Sequence, residues 1–258
     1  MVNTSIKGLR SIAKSALVGI AAFFSTGALA ADDWDFNATF YGWLPGLGTT
    51  VETPVGQLET ALDFRDIFEN LDIAAFSALE ARKGRIAFVG DVIFTDLGAG
   101  VETPFGAAFS KGEVDSQTLL ISGYAMFALV EQSNFRIEAG GGLRYNAVNV
   151  EARLDGTGGV SDVSVRRNEG WFDPIIAARA KMDFSEKWFG SIFADVGGFG
   201  IGDAADLTWQ AFAGGGYRIN DTWSVVGGYR HLEIDRDFTG VDISLQISGP
   251  VVGVQAAF

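Results

Sequence analysis

The last nine residues constrain the fold of this chain more than any other stretch. An apolar face recurs at every second position and ends on an aromatic side chain, through Pro250, Val252, Val254, Ala256 and Phe258. Alternation with a period of two indicates a β-strand. An apolar face that ends on an interfacial aromatic is typical of a strand in a bacterial outer-membrane β-barrel, where it would close the barrel.

The first thirty residues predict export. Three basic residues come first, at Lys7, Arg10 and Lys14, and an apolar segment follows at 15–24. Ala28, Leu29 and Ala30 then form a small-residue cleavage site, which completes a secretory signal peptide. A short membrane anchor is the alternative, but the apolar run is shorter than the ~20 residues that a spanning helix needs. We expect a signal peptide over 1–30, cleaved near Ala30, and one domain over 31–258.

The composition of the sequence limits the fold classes and partners that residues 31–258 can have. Hydrophobic residues make up 48% of the sequence, yet residues 31–258 contain no run of about 18 apolar residues that would indicate a membrane helix. The formal net charge of −13 argues against a nucleic-acid partner, which needs a basic patch. The chain has no cysteine, which excludes thiol chemistry and cysteine-ligated metals.

Ten segments of alternating hydrophobicity follow one another along the domain. They run over 34–44, 73–82, 85–101, 107–130, 135–153, 163–184, 188–197, 207–219, 223–234 and 241–258. Short turns alternate with longer loops, as in outer-membrane barrels. We predict an all-β fold, a closed antiparallel up-and-down transmembrane β-barrel of about ten strands, with eight or twelve as alternatives. An even number of strands places both ends of the domain in the periplasm. Because one extra strand at 48–62 would move the short turns and Phe258 to the outside, we assign 48–62 to a loop.

Aromatic residues recur at two levels. Phe135, Phe184, Trp188, Tyr217 and Trp223 flank the short turns, and Phe172, Trp209 and Tyr229 lie about one membrane thickness away. Membrane barrels carry aromatic girdles at both interfaces. The third strand has Phe88 on one face and Asp91 on the other, which favours an apolar exterior and a polar lumen. A soluble barrel of the lipocalin type is the alternative.

The first long loop predicts a short helix. Phe64, Ile67, Phe68 and Leu71 fall on one helical face after a capping Asp63. Two helical turns are unstable alone, so we expect this helix to fold into or over the barrel mouth as a partial plug. Packing against the outer rim is the alternative. A Val-Glu-Thr-Pro repeat at 51–54 and 101–104 predicts tight turns at two hairpin tips.

The largest group of candidate functional residues consists of charged side chains at positions that face the barrel lumen. We predict a lumen charge network of Glu80, Arg82, Asp91, Glu138, Arg144, Asp173, Arg179, Lys181, Asp195, Arg218 and Arg230. A ten-stranded barrel has a narrow interior, in which opposed charges would pair because unpaired buried charge is costly. The network is either a structural salt-bridge core or a narrow polar conduit whose selectivity the charges tune.

No catalytic, cofactor-binding or metal-binding residue is predicted, and we expect the chain not to be an enzyme. Its single histidine, His231, has Glu233 and Asp235 nearby in sequence. Some outer-membrane hydrolases use such a histidine, but the parity of the strand places His231 on the lipid-facing side.

Four segments resemble small proteobacterial outer-membrane β-barrel proteins of the porin-family or OmpA- or OmpW-like type. They are Trp171-Phe172-Asp173-Pro174, Asp195-Val196-Gly197-Gly198-Phe199-Gly200, Leu207-Thr208-Trp209-Gln210 and Gly228-Tyr229-Arg230. The resemblance implies the fold and an outer-membrane location in a Gram-negative bacterium. It implies no catalytic or ligand residue.

Three functional classes follow. The leading one is a structural or narrow pore-like barrel for small polar solutes, and the second is a surface adhesion or receptor-type protein that binds through hairpins at 51–56, 101–106 and 155–160. An outer-membrane hydrolase centred on His231 is the third. Expected partners are outer-membrane lipids and, through the C-terminal strand, the barrel-assembly machinery. A monomer is plausible, with the oligomeric state left open.

Overall fold

The computed structural model describes residues 34–44, 46–53, 56–62, 71–101, 109–157, 161–237 and 242–258. The described elements are β1 (Asp35–Trp43), β2 (Gly46–Thr53), β3 (Gly56–Leu62), β4 (Leu71–Lys83), β5 (Ile86–Val101), β6 (Phe109–Glu131), β7 (Phe135–Gly156), β8 (Val163–Asp183), β9 (Trp188–Gly198), β10 (Leu207–Arg218), β11 (Trp223–Asp237) and β12 (Asp242–Ala257). No helix within these ranges could span a membrane. The predicted signal peptide and three residues of the predicted helix, Phe64, Ile67 and Phe68, lie outside them, whereas Leu71 begins β4.

Ten of these strands close into a barrel. β4 to β12 pair in sequence order, and β1 pairs with both β4 and β12, all antiparallel. At the seam, Phe36 and Phe258 exchange backbone hydrogen bonds of 2.8 and 3.0 Å, and their rings stack 6.1 Å apart. The predicted closed antiparallel ten-stranded barrel is confirmed.

The interpretation of 48–62 as a loop is wrong. β2 and β3 form a hairpin there, and β2 pairs with the part of β12 that lies beyond the end of β1. The segment Thr49-Thr50-Val51 favours a strand, and Pro54 and Gly56 are turn formers. Because a hairpin adds two strands, it leaves the predicted direction of every later strand unchanged.

The two ends of the barrel differ. Short turns join β4 to β5, β6 to β7, β8 to β9 and β10 to β11, and this side is called the short-turn end. The opposite side is the long-loop end. Towards it, β6, β7 and β8 reach lengths of 23, 22 and 21 residues, whereas β9 and β10 have 11 and 12. A transmembrane strand needs only ~9–11 residues, so β6 to β8 project beyond the outer aromatic level.

The outward face carries an apolar belt. Phe184 and Ile192 are 66% and 64% exposed, and other large apolar residues on this face are exposed by more than half, among them Phe88, Leu143, Phe172, Ile176, Trp188 and Tyr229. Such a surface needs lipid, because water-soluble monomers rarely expose contiguous apolar area on this scale. Phe94 departs from the expected pattern: its parity is outward, but it is buried with Leu119 and Ala147.

Candidate functional site

An ion pair crosses the middle of the lumen. Arg230 of β11 contacts Asp91 of β5, with Nη2 2.8 Å from Oδ1. Tyr41 of β1 donates its hydroxyl to Asp91 Oδ2 at 2.7 Å and accepts a hydrogen bond from Arg230 Nη1, also at 2.7 Å. β12, β1 and β4 lie between β11 and β5 in the sheet order. These contacts therefore join opposite walls of the barrel.

Gln210 of β10 connects this ion pair to a second one. Its Oε1 accepts a hydrogen bond from Arg230 Nε at 3.0 Å. Its Nε2 donates to Asp195 Oδ2 at 2.5 Å and to the Tyr124 hydroxyl at 2.8 Å. Arg144 of β7 contacts both carboxylate oxygens of Asp195, at 2.7 and 2.9 Å. We call these seven residues, Tyr41, Asp91, Tyr124, Arg144, Asp195, Gln210 and Arg230, the central network.

The central network is held by neutral hydroxyl groups as well as by charge. Arg144 is 1% exposed, and it also donates to the Thr208 hydroxyl at 2.8 Å and the Ser122 hydroxyl at 3.2 Å. Burying two charges is expensive unless the geometry is good and the remaining donors are satisfied. Hydrogen bonds that polarise one another strengthen such a network. The arrangement therefore favours one fixed set of contacts.

An apolar layer lies directly above the central network, towards the long-loop end. It consists of Trp43, Ile93, Leu120, Trp171, Ala205, Leu232, Ile234 and Val251, all buried. Trp43, Ile93 and Leu232 follow Tyr41, Asp91 and Arg230 by two residues on their strands. The Arg230 guanidinium lies 5.1 Å from the centre of the Trp43 ring. This upper apolar layer seals the polar contacts from the long-loop end.

The loop at 199–206 folds into the barrel mouth. Its Ala205 is fully buried and donates its backbone N–H to Asp173 Oδ1 at 2.7 Å. Asp173 Oδ2 accepts hydrogen bonds from Asn146 Nδ2 at 2.7 Å and Trp171 Nε1 at 3.1 Å. Gly200 and Gly202 adopt φ values of 61° and 63°, a left-handed conformation that glycine adopts without steric cost. The loop therefore reverses sharply and is anchored at Ala205, and we call it the lid.

A second group of charges also crosses the lumen, nearer the short-turn end, and joins β4 to β7 and β8. Arg179 Nη1 lies 2.8 Å from Glu80 Oε2, and Arg179 Nε lies 2.6 Å from Glu138 Oε2. Lys181 Nζ also contacts Glu80 Oε2, at 2.7 Å, and Arg82 bonds to both carboxylates. Glu138 is fully buried. We call these five residues, Glu80, Arg82, Glu138, Arg179 and Lys181, the basal cluster.

A cavity of about 490 Å³ occupies the lumen at the short-turn end. Its inner end is formed by Tyr41, Asp91, Gln210 and Arg230 of the central network. At the opposite end, Arg218 lines the cavity, bonds to Asp183 and donates to the Glu186 carbonyl at 3.0 Å. The cavity therefore extends from the short-turn end of the lumen to the central network.

The structure thus places the predicted lumen charges in different groups. Asp91, Arg144, Asp195 and Arg230 belong to the central network, and Glu80, Arg82, Glu138, Arg179 and Lys181 form the basal cluster. Arg218 lies at the short-turn mouth. Asp173 instead accepts hydrogen bonds from Ala205 of the lid, Asn146 and Trp171.

Sequence reasoning missed the neutral partners and the lid. Tyr41 and Tyr124 lie on inward positions, and their alternation with outward residues could have shown this. Gly198, Gly200 and Gly202 indicate a turn in the sequence, but they do not indicate that the turn folds inwards. Nothing local indicates that Ala205 is buried against Asp173, because that contact joins residues 32 positions apart.

His231 lies on the outward face, as the parity of its strand indicates, and is opposite Ser248 of β12. Sequence reasoning missed this partner because the register of β11 and β12 was unknown. Among the described residues, no group of three histidine or acidic side chains is arranged to hold a metal ion.

Solved structures share this fold. The outer membrane protease OmpT from Escherichia coli matches with a TM-score of 0.51 and 10% identity, over 89% of this chain and 98% of that protein. Ail, the attachment invasion locus protein of Yersinia pestis, matches with a TM-score of 0.38 and 8% identity, over 88% and 99%. Neisserial surface protein A matches with a TM-score of 0.29 and 14% identity, over 87% and 97%.

Of these three matches, only that to OmpT has a TM-score above 0.5, and at 10% identity it shows the fold alone. Neither a family model nor a curated protein matches the sequence. The chain therefore has the fold of bacterial outer-membrane β-barrels, which host different activities. The narrower likeness to porin-family or OmpA- or OmpW-like proteins stays a prediction.

Proposed function

We propose that the protein is a structural outer-membrane β-barrel whose lumen is closed to solutes. The central network carries this proposal, because Arg230 and Asp91 join opposite walls and Gln210 links them to Arg144 and Asp195. A conducting barrel needs a continuous water-filled path past its charged groups. Here the charged groups pair with one another across the lumen. The upper apolar layer lies above these pairs.

The orientation follows from the two ends of the barrel. Outer-membrane barrels have short periplasmic turns and longer extracellular loops. The short-turn end and its cavity therefore face the periplasm, and the 199–206 lid faces outwards. The predicted signal peptide supports this location, and lipids of the outer membrane cover the apolar belt.

Solute flux into vesicles tests the proposal. The purified full chain is reconstituted into liposomes, and swelling is recorded in arabinose, glycine and small organic anions. We expect swelling no faster than in empty liposomes, whereas a general porin reconstituted at the same ratio gives fast swelling. Swelling that falls with solute size would refute the closed lumen and restore the pore-like role.

A surface interaction role is the second candidate, favoured by the projecting sheet. This sheet consists of 109–120 of β6, 146–156 of β7 and 163–171 of β8, and β6 and β7 pair along it with one register shift between Phe109 and Lys111. Glu151 holds it together through Arg153 Nη2 at 2.7 Å and through Arg166. Such a sheet would present a rigid surface to a host, phage or neighbouring protein.

Shortening the β7–β8 hairpin tests this second role. Residues 155–160 are replaced by a two-residue turn, and the folded fraction is checked by the mobility of unheated samples on gels. Loss of cell or phage attachment with an intact barrel would support the interaction role. Unchanged attachment would count against it.

A further inference from the structure

The outward face of β11 and β12 brings a serine, a histidine and a glutamate together. His231 Nδ1 lies 2.5 Å from Ser248 Oγ, and His231 Nε2 lies 3.4 Å from Glu233 Oε2. His231 and Ser248 are directly opposed in the strand register, and Glu233 follows two residues later on the same face. This cluster is separate from the central network, because its side chains point away from the lumen.

The surroundings fix the imidazole and leave it accessible. The Trp209 ring lies 4.4 Å from the His231 ring, tilted by 39°. The side chains of His231 and Glu233 are 24% and 20% exposed. A packed ring held between two polar partners has a defined orientation, and its remaining exposure allows a substrate to approach.

The cluster lies at the boundary between membrane and water. Tyr229 precedes His231 by two residues on the same face and is exposed, and Trp209 is paired with Glu233. Tyrosine and tryptophan mark the interfacial level of membrane barrels. The ester carbonyls of membrane lipids lie at this same level, between the acyl chains and the head groups.

We infer that Ser248, His231 and Glu233 form an acyl-ester hydrolase site for lipids in the surrounding leaflet. A serine nucleophile beside a histidine base, with a carboxylate on the other ring nitrogen, is the arrangement that activates a hydroxyl for attack on an ester. The unrelated folds that share this constellation are identified by geometry and roles. This activity goes beyond the structural role, since it uses the outer surface of the barrel.

The reaction consumes one water and releases one fatty acid. Ser248 Oγ attacks the ester carbonyl, and its proton passes to His231 Nδ1. The tetrahedral intermediate collapses, the ester C–O bond breaks, and the departing alcohol takes the proton from His231. Water then attacks the acyl-serine, with His231 as the base, which releases the carboxylic acid and restores the Ser248 hydroxyl.

The negative charge on the intermediate needs a hydrogen-bond donor. Backbone N–H groups are engaged here, because β12 pairs with β11 on one side and with β2 on the other. Gln246 is exposed, precedes Ser248 by two residues on the same face and is opposite Glu233. We assign its side-chain amide as the donor to an oxyanion at Ser248.

Covalent labelling tests the site without knowledge of the natural lipid. Folded protein in lipid–detergent micelles is treated with a fluorophosphonate probe, and the modified residue is located by mass spectrometry. Ser248 should be labelled. S248A should abolish labelling, and H231A should slow it by about 10²-fold or more, the range for loss of a general base. S244A is the matched control on the same strand and face, and it should label at the native rate.

Turnover of 4-nitrophenyl octanoate in the same micelles separates catalysis from structure. Glu233 acts as a positioning residue, so E233Q should lower kcat and leave KM unchanged, and E233D should restore most of kcat. Gel mobility of unheated samples confirms that each variant is folded. Absence of labelling in the folded native protein, or equal labelling in S248A, would overturn the inference.

Discussion

Arg230 and Asp91 are 139 residues apart in sequence and form a 2.8 Å ion pair across the lumen. Each has a further partner, since Tyr41 bonds to both and Gln210 bonds to Arg230. The pair is thus a strut between opposite walls of the barrel. Its removal should affect the stability of the whole barrel rather than one hairpin.

Replacing Arg230 by methionine should lower the free energy of unfolding by about 3–5 kcal/mol, because Asp91 is left as a buried charge without its cation. Urea unfolding in lipid vesicles measures the loss. R136M is the control, because the ion pair of Arg136 with Glu131 is more exposed and such pairs contribute about 0–1 kcal/mol. The double variant D91L/R230M should lose less than the two single variants combined. Equal losses in R136M and R230M would argue against a strut.

The lid should loosen when Asp173 is neutralised. D173N replaces a charge-assisted hydrogen bond to the Ala205 N–H with a weaker neutral one. Amide hydrogen exchange at Ala205 should speed up by about tenfold, equivalent to roughly 1.4 kcal/mol. D203N is the control, since Asp203 is exposed and contributes its backbone carbonyl to Arg236. Identical exchange in D173N and the native protein would show that Asp173 does not hold the lid.

The projecting sheet should weaken in acid. Hydrogen bonds from Arg166 and Arg153 hold the pKa of Glu151 below its usual value. A depressed carboxyl pKa contributes stability that is present at neutral pH and is lost as the pH falls through the lowered pKa. Amide protection factors near 151–153, which correct for the intrinsic slowing of exchange in acid, should therefore fall in acid for the native protein and stay constant with pH in E151Q. The same acid response in both proteins would assign the effect to another group.

Phe258 should matter for closure of the seam. Its backbone bonds to Phe36 in both directions, and the two rings stack. F258A should reduce the folded fraction after refolding into vesicles, and F258W should retain it because a large aromatic group remains. The fraction is measured by the gel mobility of unheated samples. A normal folded fraction in F258A would show that the stacking of the two rings has no role in closure. Recognition of the C-terminal strand by the barrel-assembly machinery stays a prediction.

The sequence predicted the barrel well because period-two alternation determines which face of each strand meets lipid. Trp188 and Asp195 lie on opposite faces of β9 by parity alone. Parity also put the lumen charges on one face, but it could not pair Arg230 with Asp91, because that contact depends on closure of the whole barrel. The β2–β3 hairpin was missed because 48–62 was counted as either one extra strand or a loop. One extra strand would have reversed the sides of the short turns and of Phe258, whereas the two strands of a hairpin do not.

Electrical conductance tests the closed lumen most directly. Purified full-length protein is incorporated into a planar lipid bilayer, and its folded state is checked by gel mobility on the same preparation. A lumen blocked by Arg230, Asp91 and Gln210 predicts no steady openings at any applied voltage that the bilayer tolerates. Stable single-channel openings of the native protein, with a conductance that rises with salt concentration, would contradict it.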